Sequence, residues 1–429
     1  MKGVDEIAER MRLAQGRLRP NWEFIAMNIL MAHNFYQQPG GEDQCVAAEV
    51  ATLRAHGHEV TQYCLHNDSI HGMNRIRLAS RTIWNQSAYR ELRKLLRTHR
   101  VQIAHFHNTF PLISPAAYYA ARAENVRVVQ TLHNFRLLCA NGLLLRDGEV
   151  CENCLGKLVP WPGIVYKCYR GSRAASTTVA TMLATHRVLG TWSTAVDMYI
   201  ALTEFGRRKL VEGGLPADKI AIKPNFAYPD PGAGTGKGGY AVFVGRLSAE
   251  KGLDTLLKAW RYLGGDVSLK LLGDGPMATA VQDAAAKDSS IQWLGHVSRE
   301  AVYGLVGEAM FLVLPSRCYE NFSMTIVEAF AKGTPVIVPK LGSMAAIVDD
   351  GRTGLHFRPG DPADLAAKVR QILADPLELA RMRRAARLEF DRNFTADANH
   401  KGLMAIYEQA LSGRDQVERA VPLIAHPHP

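Results

Sequence analysis

Val242–Gly252 reads VFVGRLSAEKG: a short apolar run, VFV, that passes directly into a turn carrying Gly245, Arg246, Lys251 and Gly252. A brief apolar run closed by glycine reads as a strand buried on both faces, the form strands take in a parallel sheet. The sequence downstream repeats that pattern. Gly252–Leu263 has helical spacing, Leu269–Leu272 reads as a strand, Met277–Lys287 as a helix and Ile291–Leu294 as a strand. Phe311–Pro315 is a further strand, Met324–Ala331 a helix and Pro335–Pro339 a strand. Upstream, strands are expected at Phe24–His33, Glu59–Leu65, Val101–Phe106, Val126–Leu132 and Met198–Leu202. Helices are expected at Glu42–His56, Pro115–Glu124 and near Phe205–Glu212. Such alternation predicts α/β architecture with doubly wound parallel sheets. YPDPGAGTGKGG, Tyr228–Gly239, is dense in Gly and Pro and divides the two series as a linker. The expected division is an extension over 1–22, a first domain over 23–227, the linker over 228–239, a second domain over 240–395, and a C-terminal helix and tail over 396–429. Two such domains leave a cleft, and ligands bind where the carboxyl ends of parallel strands open into it.

Length and composition agree with this division. The 429 residues exceed one ordinary domain, and 47 % hydrophobic with 21 % charged residues supports full cores rather than a disordered chain. No run approaches the ~18 apolar residues that a membrane-spanning helix needs. Met1–Pro20 mixes both charge signs without an apolar core, so no secretory signal is expected. Seven cysteines are too few for a disulfide scaffold of this size, and a reducing cytosol is the expected setting. The net charge of +10 is one-sided: residues 1–225 hold 28 Lys and Arg against 18 Asp and Glu, and residues 226–429 hold 23 of each. Its densest part is Arg75–Arg100, where Trp84, Leu92, Leu95 and Leu96 lie among Arg75, Arg77, Arg81, Arg90, Arg93, Lys94, Arg97 and Arg100. This pattern suits either a solvated helix face or contact with an anionic membrane. Nucleic acid is not expected as a partner, because no zinc finger, RNP or helix-turn-helix pattern is present.

Four strand ends carry candidate chemistry. In ENFSMTIVE, Glu320 falls in the loop after the strand FLVLP and Glu328 in the helix that follows. A carboxylate there can accept hydrogen bonds from sugar hydroxyls, and the helix N-terminus offers open N–H groups. Arg246 and Lys251 place two cations at a strand end, suited to a diphosphate leaving group and to the charge that grows as it departs. LLGDGP puts Gly273, and WLGHVS puts Gly295 and Val297, at two more strand ends, where a ligand can approach the backbone. Any of these alone also reads as an ordinary turn or surface charge; the four together do not.

GRLSAEKG, LLGDGP, LGHVS and the Glu-x7-Glu stretch, in that order, resemble retaining glycosyltransferases of the GT-B fold, family 4. MAHNFYQQPGGED, HFHNTFPLISP and TLHNFRLLCANG extend the resemblance over roughly residues 25–410. It implies two Rossmann-like domains, the first on the acceptor side and the second binding a nucleotide sugar. It also implies transfer of a sugar from a nucleotide diphosphate sugar, with no metal or other cofactor required for the chemistry. Carried over residue by residue, Arg246 and Lys251 hold the diphosphate. Glu320, with the backbone of Phe322, Ser323 and Met324, holds the donor sugar. Glu328 holds the ribose, and Val297 lines the base pocket. Gly40 and Gly41 belong to a loop closing over the diphosphate and acceptor, and His133 faces the reaction centre, with His105 and His107 nearby. One departure stands in LGSMAAIVDDGRTGL, where the family usually has Glu and this chain has Ala346.

Cys139, Cys151, Cys154 and Cys168 follow C-x11-C-x2-C-x13-C, compatible with a structural zinc of four thiolates or with four reduced thiols. The overall expectation is a retaining glycosyltransferase at the cytosolic face of a membrane, acting on a lipid-linked or polysaccharide-precursor acceptor. The alternatives are a sugar nucleotide epimerase on the same fold, which would use no acceptor and need an acid/base pair around the sugar, and a catalytically silent scaffold, which would lack some of the charged residues Arg246, Lys251, Glu320 and Glu328.

Overall fold

The computed structural model describes residues 26–37 and 40–420. The expected extension over 1–22, the start of the first expected strand and the end of the tail lie outside these residues. Six parallel strands form the first sheet: β1 Asn28–Phe35, β2 Glu59–His66, β3 Ile103–Phe106, β4 Arg127–Thr131, β7 Met198–Ala201 and β8 Ile220–Ile222, in the order β2-β1-β3-β4-β7-β8. A two-residue-per-strand hairpin, β5 Leu145–Arg146 and β6 Glu149–Val150, stands apart from it. The second sheet holds β9 Tyr240–Val244, β10 Ser268–Leu272, β11 Ile291–Gly295, β12 Phe311–Val313, β13 Val336–Pro339 and β14 Gly354–Phe357, in the order β11-β10-β9-β12-β13-β14. All pairs in both sheets are parallel.

The central strands are buried on both faces, as their unbroken apolar runs require: Ile29–Ala32 and Ala241–Phe243 are wholly enclosed by helices. The sequence also fixes where helices start. Asn85, Asp361 and Asp375 each accept hydrogen bonds from first-turn N–H groups, and proline opens the helices Pro362–Ala374 and Pro376–Asn393. Gly252, with φ +73, has room for no side chain: a Cβ there would lie 2.0 Å from the Pro315 carbonyl oxygen. This close approach brings the Lys251 turn against the loop after β12.

The chain crosses between the sheets twice. The first crossing, between β8 and β9, spans the expected linker. The second lies between the helix Pro376–Asn393, whose Ala386 and Phe390 pack under the second sheet, and the helix Ala396–Ala420. That last helix returns to the first sheet, where Leu403, Met404 and Tyr407 share a core with Met27, Ile29, Val50 and Ile200. The crossings touch each other, the Ala227 N–H donating to the Phe394 carbonyl at 3.2 Å.

Candidate active site

In an open doubly wound sheet the ligand crevice forms where strand order reverses. The second sheet reverses between β9 and β12, and the loops leaving these two neighbours carry the expected donor residues. Lys251 ends a single 3-10 turn, Ala249–Lys251, after β9, and its Nζ donates to Glu320 Oε1 at 2.6 Å. Ser316 Oγ donates to the same oxygen at 2.6 Å. Burial pushes the Glu320 carboxyl up, but the Lys251 charge, its hydrogen bond and that of Ser316 outweigh it and hold the group below its ordinary range. Burial would lower the Lys251 ammonium, and Glu320 raises it past its ordinary value. Arg246 is exposed at the start of the same loop and forms no ion pair among the described residues.

The helix Met324–Ala331 starts at Ser323, whose side chain caps nothing; the Ile326 N–H turns back to the Ser323 carbonyl at 3.2 Å, and the Met324 and Thr325 N–H groups beside Phe322 have no partner among the described residues. One turn on, Glu328 lies 3.8 Å from Arg299 and accepts from the Tyr303 hydroxyl at 3.4 Å. Burial raises its carboxyl, with Arg299 and Tyr303 only partly offsetting it. Arg299 opens the helix after the Gly295–Ser298 loop, so Val297 and Glu328 belong to one neighbourhood. Ala346 is exposed on the short helix Gly342–Ile347.

Across the cleft, the first domain presents its own reversal between β1 and β3. Gly40 and Gly41 lead from β1 into the helix Gly41–Ala55, and a Cβ on Gly41 would sit 3.1 Å from Met324 Cγ. Asn321, next to Glu320, donates to the Leu132 carbonyl at 2.7 Å, just before His133. These contacts set Gly41 against Met324 and the loop that carries Glu320 against the strand end that carries His133. His133 Nε2 meets His107 Nδ1 at 2.8 Å, and burial, then His107 and His33, keep the His133 ring well below its usual protonation range.

Two of the expected glycines differ in their surroundings. At Gly273 a Cβ would lie 2.0 Å from the Gly245 carbonyl oxygen, its N–H donates to Gly295 O, and its carbonyl accepts from Trp293. Its role is to let three strand-end loops pack backbone to backbone. No protein atom lies within 4 Å of an added Cβ on Gly40, which faces open space, so crowding by protein falls on Gly41.

The structure adds residues that the motifs did not single out. Glu42, with Asn108, Asn134 and Arg136, lines a cavity beside His133. Burial pushes the Glu42 carboxyl up to about 8; Tyr36 donates to one oxygen at 3.1 Å, and Oε1 is buried with no partner. Beneath His107 sits Glu49, 3.3 Å from both His105 and His107 and 2.9 Å from the Lys223 ammonium. Its signal was in the sequence: Glu49 interrupts the apolar stripe Val46, Val50, Leu53 at a core position, where a charge needs a partner.

The four cysteines also converge, lining one small cavity in the first domain.

Two family descriptions cover the chain in succession: "Glycosyltransferase Family 4" over residues 39–230 and "Glycosyl transferases group 1" over 232–389. The glycogen synthase of Mycobacterium tuberculosis is 31 % identical over 194 residues, 44 % of this chain and 47 % of that protein. The phosphatidyl-myo-inositol mannosyltransferase of Mycobacterium leprae is 27 % identical over 251 residues, 54 % and 64 % of the two chains. The chain thus spans about half the length of the first curated relatives it matches. Among solved structures, Anabaena HepE in complex with UDP aligns over 91 % of this chain and all of its own, at 16 % identity and a TM-score of 0.62. The sucrose-phosphate synthase of Thermosynechococcus elongatus aligns over 92 % and 100 %, at 16 % identity and 0.63. With both halves matched and two doubly wound sheets facing one cleft, the chain belongs to the glycosyltransferases of family 4, with the GT-B fold.

Proposed function

We propose that this protein transfers a sugar from a nucleotide diphosphate sugar to an acceptor, keeping the anomeric configuration. The observation that supports this reading is the Lys251–Glu320 pair at the sheet's switch point, with Arg246, which has no ion pair among the described residues, on one side and the uncapped Met324 and Thr325 N–H groups on the other. Arg246 and Lys251 take the diphosphate and offset the charge that develops as it leaves. Lys251 can move from Glu320 to a phosphate oxygen, which frees Glu320 to accept from donor-sugar hydroxyls. Glu328 accepts from the ribose diol. His133, held neutral, presents a polar edge to the sugar, and the cleft walls hold the acceptor on the same face of the sugar as the diphosphate. The acceptor attacks from the face that the diphosphate leaves, so no side chain needs to become glycosylated. The unpartnered oxygen of Glu42 suits an acceptor hydroxyl.

The assembled charges favour an active enzyme over a silent scaffold. We further propose a lipid-linked or polysaccharide-precursor acceptor at the cytosolic membrane face. Arg75, Arg77, Arg90, Lys94 and Arg100 are exposed, and Ile76 is 79 % exposed among them. Arg93 and Arg97, in contrast, both pair with Glu124 at 2.5 Å and belong to the fold. No described helix is long and apolar enough to cross a membrane. The relative from M. leprae is by its name a transferase to a lipid. The test is a screen of nucleotide sugars for release of nucleoside diphosphate, with and without membrane extract, followed by NMR of the anomeric centre of the product. Release with one donor and retained configuration is expected. Inverted configuration, or no release with any donor, refutes the reading.

A further inference from the structure

The segment after β4 departs from the doubly wound pattern. Residues 134–172 contain only the hairpin β5–β6 and the five-residue helix Trp161–Val165. Seven non-glycine residues in the described chain have positive φ, and four of them fall here: Leu144, Asp147, Lys167 and Arg170. The left-handed region costs a non-glycine residue about 1–2 kcal/mol, and such conformations persist only when surrounding structure over-determines them. Short loops with so little regular hydrogen bonding need another constraint.

The thiols supply the chemistry for one. Cys139, Cys151, Cys154 and Cys168 come from three separate turns yet line one cavity, closed by Leu145, Pro162 and Gly163. All four are free of disulfides. Backbone hydrogen bonds fix the turns: Cys151 N–H donates to Leu144 O at 2.8 Å, Cys168 N–H to Gly163 O at 2.9 Å, and Gly142 N–H to Cys139 O at 3.0 Å. At Gly163 a Cβ would come within 2.9 Å of the Ala140 Cβ and 3.7 Å of Cys154 Sγ, so glycine keeps the space open. We propose that these four cysteines hold one structural zinc ion.

Four thiolates satisfy a tetrahedral zinc completely and leave no position for substrate, so the ion's role is structural. Binding exchanges four S–H bonds for four Zn–S bonds and releases the protons to solvent. The tetrathiolate site carries two net negative charges. Arg146 borders the cavity, and Arg187 reaches in from the helix Arg173–Val188 to donate to the Leu137 carbonyl at 2.7 Å. No three of the four sulfurs lie within 4.8 Å of one another, so zinc binding requires side chains to turn inward: Cys139 Sγ donates to Asn141 Oδ1 at 3.0 Å and Cys154 Sγ to the Pro160 carbonyl at 3.9 Å. Among the described residues, the group whose ligand atoms already lie within 4.8 Å is Glu49, His105 and His107. It is a poorer metal site: the Lys223 ammonium stands 2.9 Å from Glu49, and both ring nitrogens of His105 are engaged by Tyr407 and Thr131.

The ion would stiffen more than its own loops. Glu149 of the hairpin pairs with Arg317 of the second domain at 2.8 Å, three residues before Glu320, and Glu152 pairs with Lys209 at 2.9 Å. The test begins with metal analysis of protein purified without added zinc. About one zinc per chain is expected, and Cys151→Ser with Cys154→Ser should lose it and melt lower. A cobalt-substituted protein should show the visible bands of tetrahedral thiolate coordination. If the Ser variant does not fold, a chelator with a zinc indicator reads the metal released from the parent protein, and a titration of the unfolded parent counts its thiols. Absence of zinc from the parent protein overturns the proposal. So does retention of zinc by the Ser variant, or a thiol count short by four, which would mark two disulfides instead.

Discussion

Lys251→Met separates the catalytic from the structural work of the central ion pair. Lys251 is 26 % exposed by its side chain and Glu320 13 %, so the substitution leaves a nearly enclosed carboxylate with Ser316 as its remaining partner. Removing one partner of a buried pair costs about 3–5 kcal/mol. The partial exposure of Lys251 points to the low end, about 3 kcal/mol, which lowers Tm by about 6–12 °C for a domain of this size. The sign with pH follows from the depressed Glu320 carboxyl: its contribution is present above the unfolded-state carboxyl range and is lost as pH falls through the folded value. The variant should lack that acid-side loss. Activity responds separately. A cation on the leaving diphosphate contributes roughly 2.7–4 kcal/mol to the transition state, so kcat/KM should fall at least about 10²-fold. Adding Glu320→Gln should return most of the Tm, because no buried charge is then stranded, and should return none of the activity. The assays are thermal denaturation and nucleoside diphosphate release. Turnover of Lys251→Met within about threefold of the parent refutes the diphosphate role. Recovery of both properties in the double variant would make the pair purely structural.

Glu42 gives a pH prediction of opposite sign. With its carboxyl raised to about 8, its contribution to stability is complete below the unfolded range and is lost as pH rises through about 8. Glu42→Gln should therefore lose less Tm than the parent between about pH 6 and about pH 9, and equal losses would count against the buried acid. Gly41→Val should impair donor turnover with little change in Tm, since its Cβ would crowd Met324 across the cleft rather than a core; unaltered kcat/KM would show that the contact opens freely. Reversing Arg75, Arg77 and Lys94 to Glu should weaken binding to anionic vesicles, each charge being worth roughly 1 kcal/mol at the surface. Activity on a short soluble acceptor should persist, and equal binding to neutral and anionic vesicles would remove the membrane from the model.

The proposed donor residues were legible as a set because each lies close in sequence to a strand end. Arg246 and Lys251 follow one strand, Glu320 and Glu328 another, and short apolar runs mark both strands. What those residues do to one another was not legible: Lys251 and Glu320 are 69 positions apart, and only the order of β9 beside β12 makes them partners. The Glu49–Lys223 pair, 174 positions apart, escaped for the same reason, although a charge in an apolar stripe announced that a partner existed. Strand β8 offers only IAI between Lys219 and Lys223, and His356 breaks the apolar run of β14, so neither stood out. The helix Arg173–Val188 was missed because RAASTTVATMLATHRV is rich in Thr and Val, which favour strands intrinsically; packing against the first core overrides that preference. Gly273 stood out as a strand-end glycine, but its contact with the Gly245 backbone was not legible, since a sequence does not show which backbone comes close.

The returning helix Ala396–Ala420 changes what the two halves can do relative to each other. A pair of domains joined by one strand of chain can swivel about any axis. Here two strands of chain pass side by side and are joined by the bond from Ala227 to Phe394, so the two crossings form one seam like the spine of a book. Any opening about that seam has to part Asn321 from the Leu132 carbonyl on the far side of it.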